Sequence, residues 1–403
     1  MAGRGRQTPR GILAALLSSV LLAGCGSLNP LDWLGGAEDL EPPAELTELT
    51  PTLAVSERWR ADSGEGSGDE VLALALGHLD DRLFSAARDG RVTAFSLEGA
   101  KLWERHLDLP LSGGPGAGEG LVLVGSSEAW VIALDAGEGE ERWRTRVSAE
   151  VLSTPAVGDG VVVVHTSDGR VFGLDAADGS RRWVFDRPEP ALTLRGSSSP
   201  VIVDGNCLVG LAHGRLVNLA VATGDVQWEA EITPPAGRSE LDRVNDVDAD
   251  PVVYEGQVYA MAYQGHLAAV DLDSGEVLWR RELSGYAGLA RDWHQLYVTA
   301  ADSQVWAIDP EDGATMWRQD KLLNRRLSGP AVQGEALLVG DFEGWVHWLS
   351  LEDGHLLARA RVSDAPIRAT PLVLDDVAYV FAADGTLAAF AEDGARGEDE
   401  EDE

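Results

Sequence analysis

The stretch Asp246-Val247-Asp248-Ala249-Asp250 comes nearest to a chemical site in this sequence. Carboxylates at alternate positions open a calcium loop, in which oxygen ligands converge on a hard cation. The remainder of such a loop is absent. Pro251 stands where the sharp-turn glycine belongs, and Gln257 where the bidentate glutamate belongs. A second candidate, Gly113-Gly114-Pro115-Gly116-Ala117-Gly118-Glu119-Gly120, could cradle a phosphate at a helix start. Its register points elsewhere. Pro115 aligns with Pro155, Gly118 with Gly158 and Gly120 with Gly160 of a repeat described below. The segment therefore reads as a strand and hairpin turn with no helix after it. The eight histidines are scattered, with no pair at metal-binding spacing. No nucleophile elbow and no phosphate-loop lysine motif occurs. The expectation is a protein with no catalytic residue, no metal and no cofactor.

Cys25 is the one residue with a clear chemical fate. Arg4, Arg6 and Arg10 precede an apolar run from Ile12 to Leu22, which ends in Leu22-Ala23-Gly24-Cys25. The run is too short to span a bilayer and suits a secretory signal. Its end resembles a bacterial lipobox, which implies cleavage before Cys25 and a lipid on that cysteine. Gly26 follows, not the aspartate of inner-membrane retention, so the resemblance implies the periplasmic face of the outer membrane. Acyl chains at about 0.8 kcal/mol per buried methylene make such an anchor effectively permanent. The other cysteine, Cys207, lies in the apolar run Cys207-Leu208-Val209-Gly210 and reads as a buried free thiol. Acidic residues outnumber basic ones 67 to 32, a net charge of −35. Such a surface repels nucleic acid and suits a basic partner.

The elements that must position any site come from a repeat. Tryptophans recur at Trp59, Trp103, Trp143, Trp183, Trp228, Trp279 and Trp317. Each except Trp59 closes a phrase whose clearest copy runs from Asp168-Gly169 through Leu174-Asp175 and Gly179 to Trp183. Eight copies are present; the seventh has Ala358 at the tryptophan position and the eighth stops at Phe390. One unit holds short apolar strands separated by Asp159-Gly160, Asp168-Gly169 and Asp178-Gly179, where glycine supplies positive φ. Four antiparallel strands per roughly 40 residues make a propeller blade. Val161-Val162-Val163-Val164 is apolar on both faces, as a sheet between two other sheets requires. The fold class is therefore all-β, an eight-bladed β-propeller. The strand around Trp59 has no copy before it, and should pair with the last copy to close the ring. The expected organisation is a signal peptide over 1–24, a lipidated tether over 25–55, the propeller over 56–391 and an acidic tail over 392–403.

The repeat resembles the tryptophan-docking units of quinoprotein alcohol dehydrogenases. Over most of the chain, from Glu41 to Phe390, it resembles the lipoprotein propellers of the BamB family. The most specific passages are Glu41-Pro42-Pro43-Ala44-Glu45-Leu46, Leu192-Thr193-Leu194-Arg195-Gly196 and Asp242-Arg243-Val244-Asn245-Asp246-Val247-Asp248. This resemblance implies a non-enzymatic scaffold in the outer-membrane β-barrel assembly machinery. The implied partners are the periplasmic domains of a BamA-type barrel-forming protein, the other assembly lipoproteins and nascent outer-membrane proteins. Two rival functions are a quinone-dependent dehydrogenase and a propeller that binds cell wall or sugar. The first needs adjacent cysteines and calcium carboxylates that cannot be assigned here; the second needs aromatics clustered on one face.

Connector lengths point to the binding surface. Eleven residues separate Trp103 from Pro115, and eleven separate Trp143 from Pro155. Sixteen separate Trp183 from Pro200, and twenty-two separate Trp228 from Pro251. Equivalent connectors of successive blades emerge side by side on one face. The two long ones offer Leu192, Leu194 and Arg195, then Asp246 and Asp248. Apolar anchors beside opposite charges are the mix of a binding hot spot, and the family resemblance implies the same patch.

Overall fold

Short runs of small and β-branched apolar residues, broken by turns that need a left-handed backbone, build every sheet of this protein. In the computed structural model, which describes residues 41–187, 198–234 and 245–393, the third sheet shows the pattern. Its strands are Ala156–Gly158, Val161–His165, Val171–Asp175 and Arg181–Phe185, each antiparallel to the next. Asp159 and Gly160 turn the first hairpin with φ of 53° and 69°, the left-handed pair that matches strand twist. Val161–His165 is buried at every position, because sheets stack on both of its faces.

Eight such sheets follow one another, over residues 76–106, 111–146, 156–185, 201–231, 252–282, 288–319, 331–361 and 372–392. They form the eight blades of a β-propeller. First strands of neighbouring blades touch, while fourth strands such as Glu141–Arg146 face solvent. The glycine-rich segment at 113–120 is the first strand and turn of blade 2, as its register implied. That blade also gains a short extra strand, Ala73–Leu74, parallel to it. Cys207 is fully buried and unpaired in Asn206–Leu211, and burial pushes its thiol up to about 12.

The recurring tryptophans join blade to blade. Each indole donates Nε1–H to a backbone oxygen of the next blade: Trp59 to Leu97 (2.8 Å), Trp103 to Ala136 (3.1 Å), Trp143 to Ala176 (2.9 Å), Trp183 to Val221 (2.8 Å). Trp228, Trp279 and Trp317 do the same to Leu272, Pro310 and Leu351. Each ring lies on the glycine that ends the same turn. A Cβ on Gly99 would sit 2.4 Å from Trp59, and one on Gly179 2.5 Å from Trp143. Across its own sheet each tryptophan faces a small residue or an asparagine, as Trp103 faces Ala94 and Trp143 faces Ala133.

Blade 7 inverts this pair. Ala358 takes the fourth-strand position and faces Trp348 on the third strand. The cause lies in blade 8, whose third strand, Thr386–Glu392, and fourth strand, Val55–Asp62, are far apart in sequence. No turn joins them, so no turn glycine awaits an indole. Trp348 is instead fully buried, donates to Gln333 Oε1 (2.8 Å) and meets Phe390 edge-on at 5.6 Å. The ring closes as the sequence implied. Val55–Asp62 pairs antiparallel with Thr386–Glu392, and Trp59 faces Ala389.

The segment before Trp59 differs from the flexible tether expected up to residue 55. Ala44 N–H donates to Leu323 O (2.9 Å), and Arg325 Nη1 donates to Ala44 O (2.9 Å). Arg359 donates to Thr47 O, and Thr52 N–H donates to Leu357 O (2.9 Å). Leu46 packs into the core between blades 6 and 7, and Leu53 and Val55 into that between 7 and 8. Residues 44–54 are thus a strap along the outer strand Leu356–Arg361, covering an otherwise open edge. Its latch is a buried charge network. Arg325 bonds Asp341 Oδ2 and Glu343, and His347 Nε2 lies 3.0 Å from Asp341 Oδ2. Burial opposes ionisation of Asp341, but His347, the Trp345 N–H and Arg325 outweigh it and hold the carboxyl below its usual range. Leu46→Ala is expected to lower unfolding free energy by about 1–2 kcal/mol, the value of a partly buried leucine. Denaturant titration measures it; no change would return this segment to the status of a loose tether.

Candidate functional site

Strand direction sorts the loops onto two faces. One face carries the turns between first and second strands and between third and fourth. There, Asp80, Glu119, Asp159, Asp204, Glu255 and Asp375 all have positive φ. Short polar side chains such as aspartate tolerate that backbone better than most, so part of the acidity of this face follows from turn chemistry. The other face carries the turns between second and third strands and the connectors between blades. The long connectors lie here.

Leu192, Leu194 and Arg195, with Asp242 and Arg243, lie outside the described residues. The ends of both connectors are described, and they are bonded together. Ser199 N–H donates to Asp250 Oδ1 at 2.5 Å, tying the end of the first long connector to the end of the second. Ser199 Oγ accepts from Thr154 N–H (3.1 Å), and Ser198 O meets the buried His165 Nδ1 (3.0 Å). Burial lowers the His165 pKa, which favours the neutral ring against this carbonyl.

The second connector returns along 245–250 as a stitched leg. Val247 N–H donates to Leu211 O (3.2 Å), and Tyr263 N–H donates to Asp246 O (3.0 Å). A Cβ on Gly210 would fall 2.3 Å from Val247 O, so the leg can lie this close only over glycine. Asp246 is only 5% exposed. Its Oδ1 accepts from His213 N–H at 3.2 Å, a donor freed by the turn that holds His213 at φ 60°. Asp246 thus organises the leg, where its sequence alone reads as a surface charge. Asp248 is half-buried, and burial together with the Asp246 charge pushes its carboxyl up to about 7. The carboxylates of Asp246 and Asp250 already accept backbone N–H groups. Among the described residues no group of three or more His, Cys, Asp and Glu is arranged to hold a metal ion.

Sequence reasoning missed three residues that lead away from this leg in sequence of contact. Tyr263 bonds it directly and meets Tyr286 edge-on, with ring centroids 6.0 Å apart. Arg326 acts electrostatically on the Tyr286 hydroxyl. None stands in a long connector, so loop length gave no signal for them.

With this geometry in place, comparison with known proteins is direct. The family model described as outer membrane protein assembly factor BamB matches residues 88–319 and 308–397. The chain is 42% identical over 379 residues to the outer membrane protein assembly factor BamB of Pseudomonas aeruginosa, covering 94% of this chain and 98% of that protein. The crystal structure of BamB from Moraxella catarrhalis superposes with a TM-score of 0.77 at 27% identity, over 84% of this chain and 99% of that one. A europium-containing methanol dehydrogenase superposes at 0.68 with 13% identity, over 84% of this chain and 93% of that one, a likeness of fold alone. The chain belongs to the BamB family of outer membrane protein assembly factors.

Proposed function

We propose that this chain is a non-enzymatic scaffold of the machinery that assembles outer-membrane β-barrels. It docks through its connector face on the periplasmic domains of a BamA-type barrel-forming protein, beside the other assembly lipoproteins. The observation that carries this reading is the pair of long connectors, bonded to each other at Ser199 and Asp250. A rigid base under two long loops is what a preorganised docking surface needs. In this reading Leu192 and Leu194 enter an apolar groove of the partner. Arg195 and Asp248 meet charges there, and Asp246 holds the leg that presents them. Affinity purification of the native lipoprotein from mild detergent is the direct test. Recovery of the barrel-forming protein supports the reading, and recovery without it rejects it.

Lipidation at Cys25 belongs to the same proposal, with the mature protein held on the periplasmic side of the outer membrane. Cys25→Ala should release the folded domain into the periplasm with an unchanged thermal midpoint, because the strands of the propeller begin only at Val55. Retention of this variant in carbonate-washed membranes would count against the anchor.

A further inference from the structure

The connector face continues beyond the two long loops. Tyr263 is tied by its N–H to Asp246 O, and its ring supports Tyr286, which remains 46% exposed. On the far side of Tyr286 stands the connector between blades 6 and 7, with two adjacent arginines of opposite fates. Arg325 is turned inward and spent on Asp341, Glu343 and Ala44 O. Arg326 is exposed and makes no hydrogen bond or ion pair among the described residues. It also holds φ at 50°, a left-handed backbone that is costly for a residue other than glycine. The blade 5–6 and 6–7 connectors meet here, since a Cβ on Gly329 would lie 2.8 Å from the backbone oxygen of Ala287, next to Tyr286, and the Arg326 charge acts on both Tyr286 and Arg368. Arg368 is itself occupied, donating to Gly68 O (2.8 Å) and Ser67 Oγ (3.2 Å). In a chain with 67 acidic residues and 32 basic ones, a guanidinium held outward without a carboxylate has an unfilled valence for one. A half-exposed phenol pair beside it supplies flat apolar area with a polar edge, the kind of surface that anchors protein contacts.

We propose that Tyr263, Tyr286 and Arg326 extend the docking surface from the blade 4–5 connector to the blade 6–7 connector. The occupant is the same periplasmic polypeptide surface proposed above, on whose docking this inference rests. It seats an aliphatic side chain on the tyrosine pair and a carboxylate on Arg326. The two ends of the surface then differ in sign once a basic partner group draws the proton from Asp248, with that carboxylate at one end and Arg326 at the other. The partner can therefore bind in one direction only, with its basic group at blade 5 and its acidic group at blade 7.

The test is co-purification of the barrel-forming protein with the full-length lipoprotein from native membranes. Arg326→Glu should reduce recovery at least tenfold, and Tyr286→Ala about fivefold. Arg326→Lys keeps the charge and should stay within threefold of wild type. Arg326→Gly favours the same backbone and must fold at least as well, yet should lose as much partner as the glutamate variant. The reference arm is the Arg195→Ala, Asp246→Ala double variant. If that variant loses the partner while Arg326→Glu and Tyr286→Ala both recover wild-type amounts, the extension is wrong and the docking proposal stands. If every variant recovers wild-type amounts, the docking proposal itself falls. A dimer of this chain, seen by sedimentation and abolished by Arg326→Glu, would assign the surface to a second copy and overturn the proposal.

Discussion

Deleting residues 56–60 should lower the thermal midpoint of the propeller by roughly 10 °C or more. Two losses combine in this variant. The first is Trp59, whose indole lies on Gly99, bonds Leu97 O and contacts Tyr379 at 5.8 Å. Removing a core tryptophan typically costs about 3–5 kcal/mol, and in a domain of this size each kcal/mol moves the midpoint by about 2–4 °C. The second loss is the pairing of Val55–Asp62 with Thr386–Glu392, which turns a closed ring into an open one with an unpaired edge. Trp103→Ala separates the two. It removes an equivalent docking contact to Ala136 O and leaves closure intact. The deletion should therefore melt clearly below Trp103→Ala in calorimetry. Equal midpoints would mean that closure adds nothing, and a wild-type midpoint would refute the closure argument.

Replacing Arg195 and Asp246 together with alanine should abolish co-purification of the barrel-forming protein while leaving the circular dichroism spectrum intact. Truncating charged groups in a buried contact commonly costs about 2–5 kcal/mol, which is a thirtyfold loss of affinity or more. In the proposed docking the two residues have different shares. Arg195 is the proposed direct contact. Asp246 is buried and accepts from His213 N–H, so its loss acts through the shape of the leg that carries Asp248. Asp246→Asn keeps an acceptor oxygen in the same place. It should retain most binding if shape is what matters, and lose it if the charge itself meets the partner. Wild-type recovery with the double alanine variant would place the docking site elsewhere.

Much of this protein is legible in the sequence because its rules are local and repeated. An Asp-Gly pair turns a hairpin wherever it stands between apolar runs, and Asp159-Gly160 does so here. A tryptophan at a fixed phase fills the same space in each blade, so Trp103, Trp143 and Trp183 announce the propeller. Even the exception was visible. The phrase that stops at Phe390 and the orphan strand at Trp59 imply closure before any coordinates are known. The strap was not legible. Leu46, Leu53 and Val55 have no period of their own, and Pro42-Pro43 reads as linker. Their partners stand far along the chain, as Arg325 stands 281 residues from Ala44. No local pattern encodes a contact at that distance. The inversion of Trp348 and Ala358 is of the same kind: the sequence displays it, but its cause is the missing turn in a blade assembled from segments far apart in sequence. The proposed docking face divides along this line too. Sequence placed two long connectors side by side, because loop length and blade order are countable. Only the tertiary structure buried Asp246, left Asp248 half-covered and turned Arg326 outward. Which charge meets solvent depends on what other segments fold over it, and that is set by the closed ring as a whole.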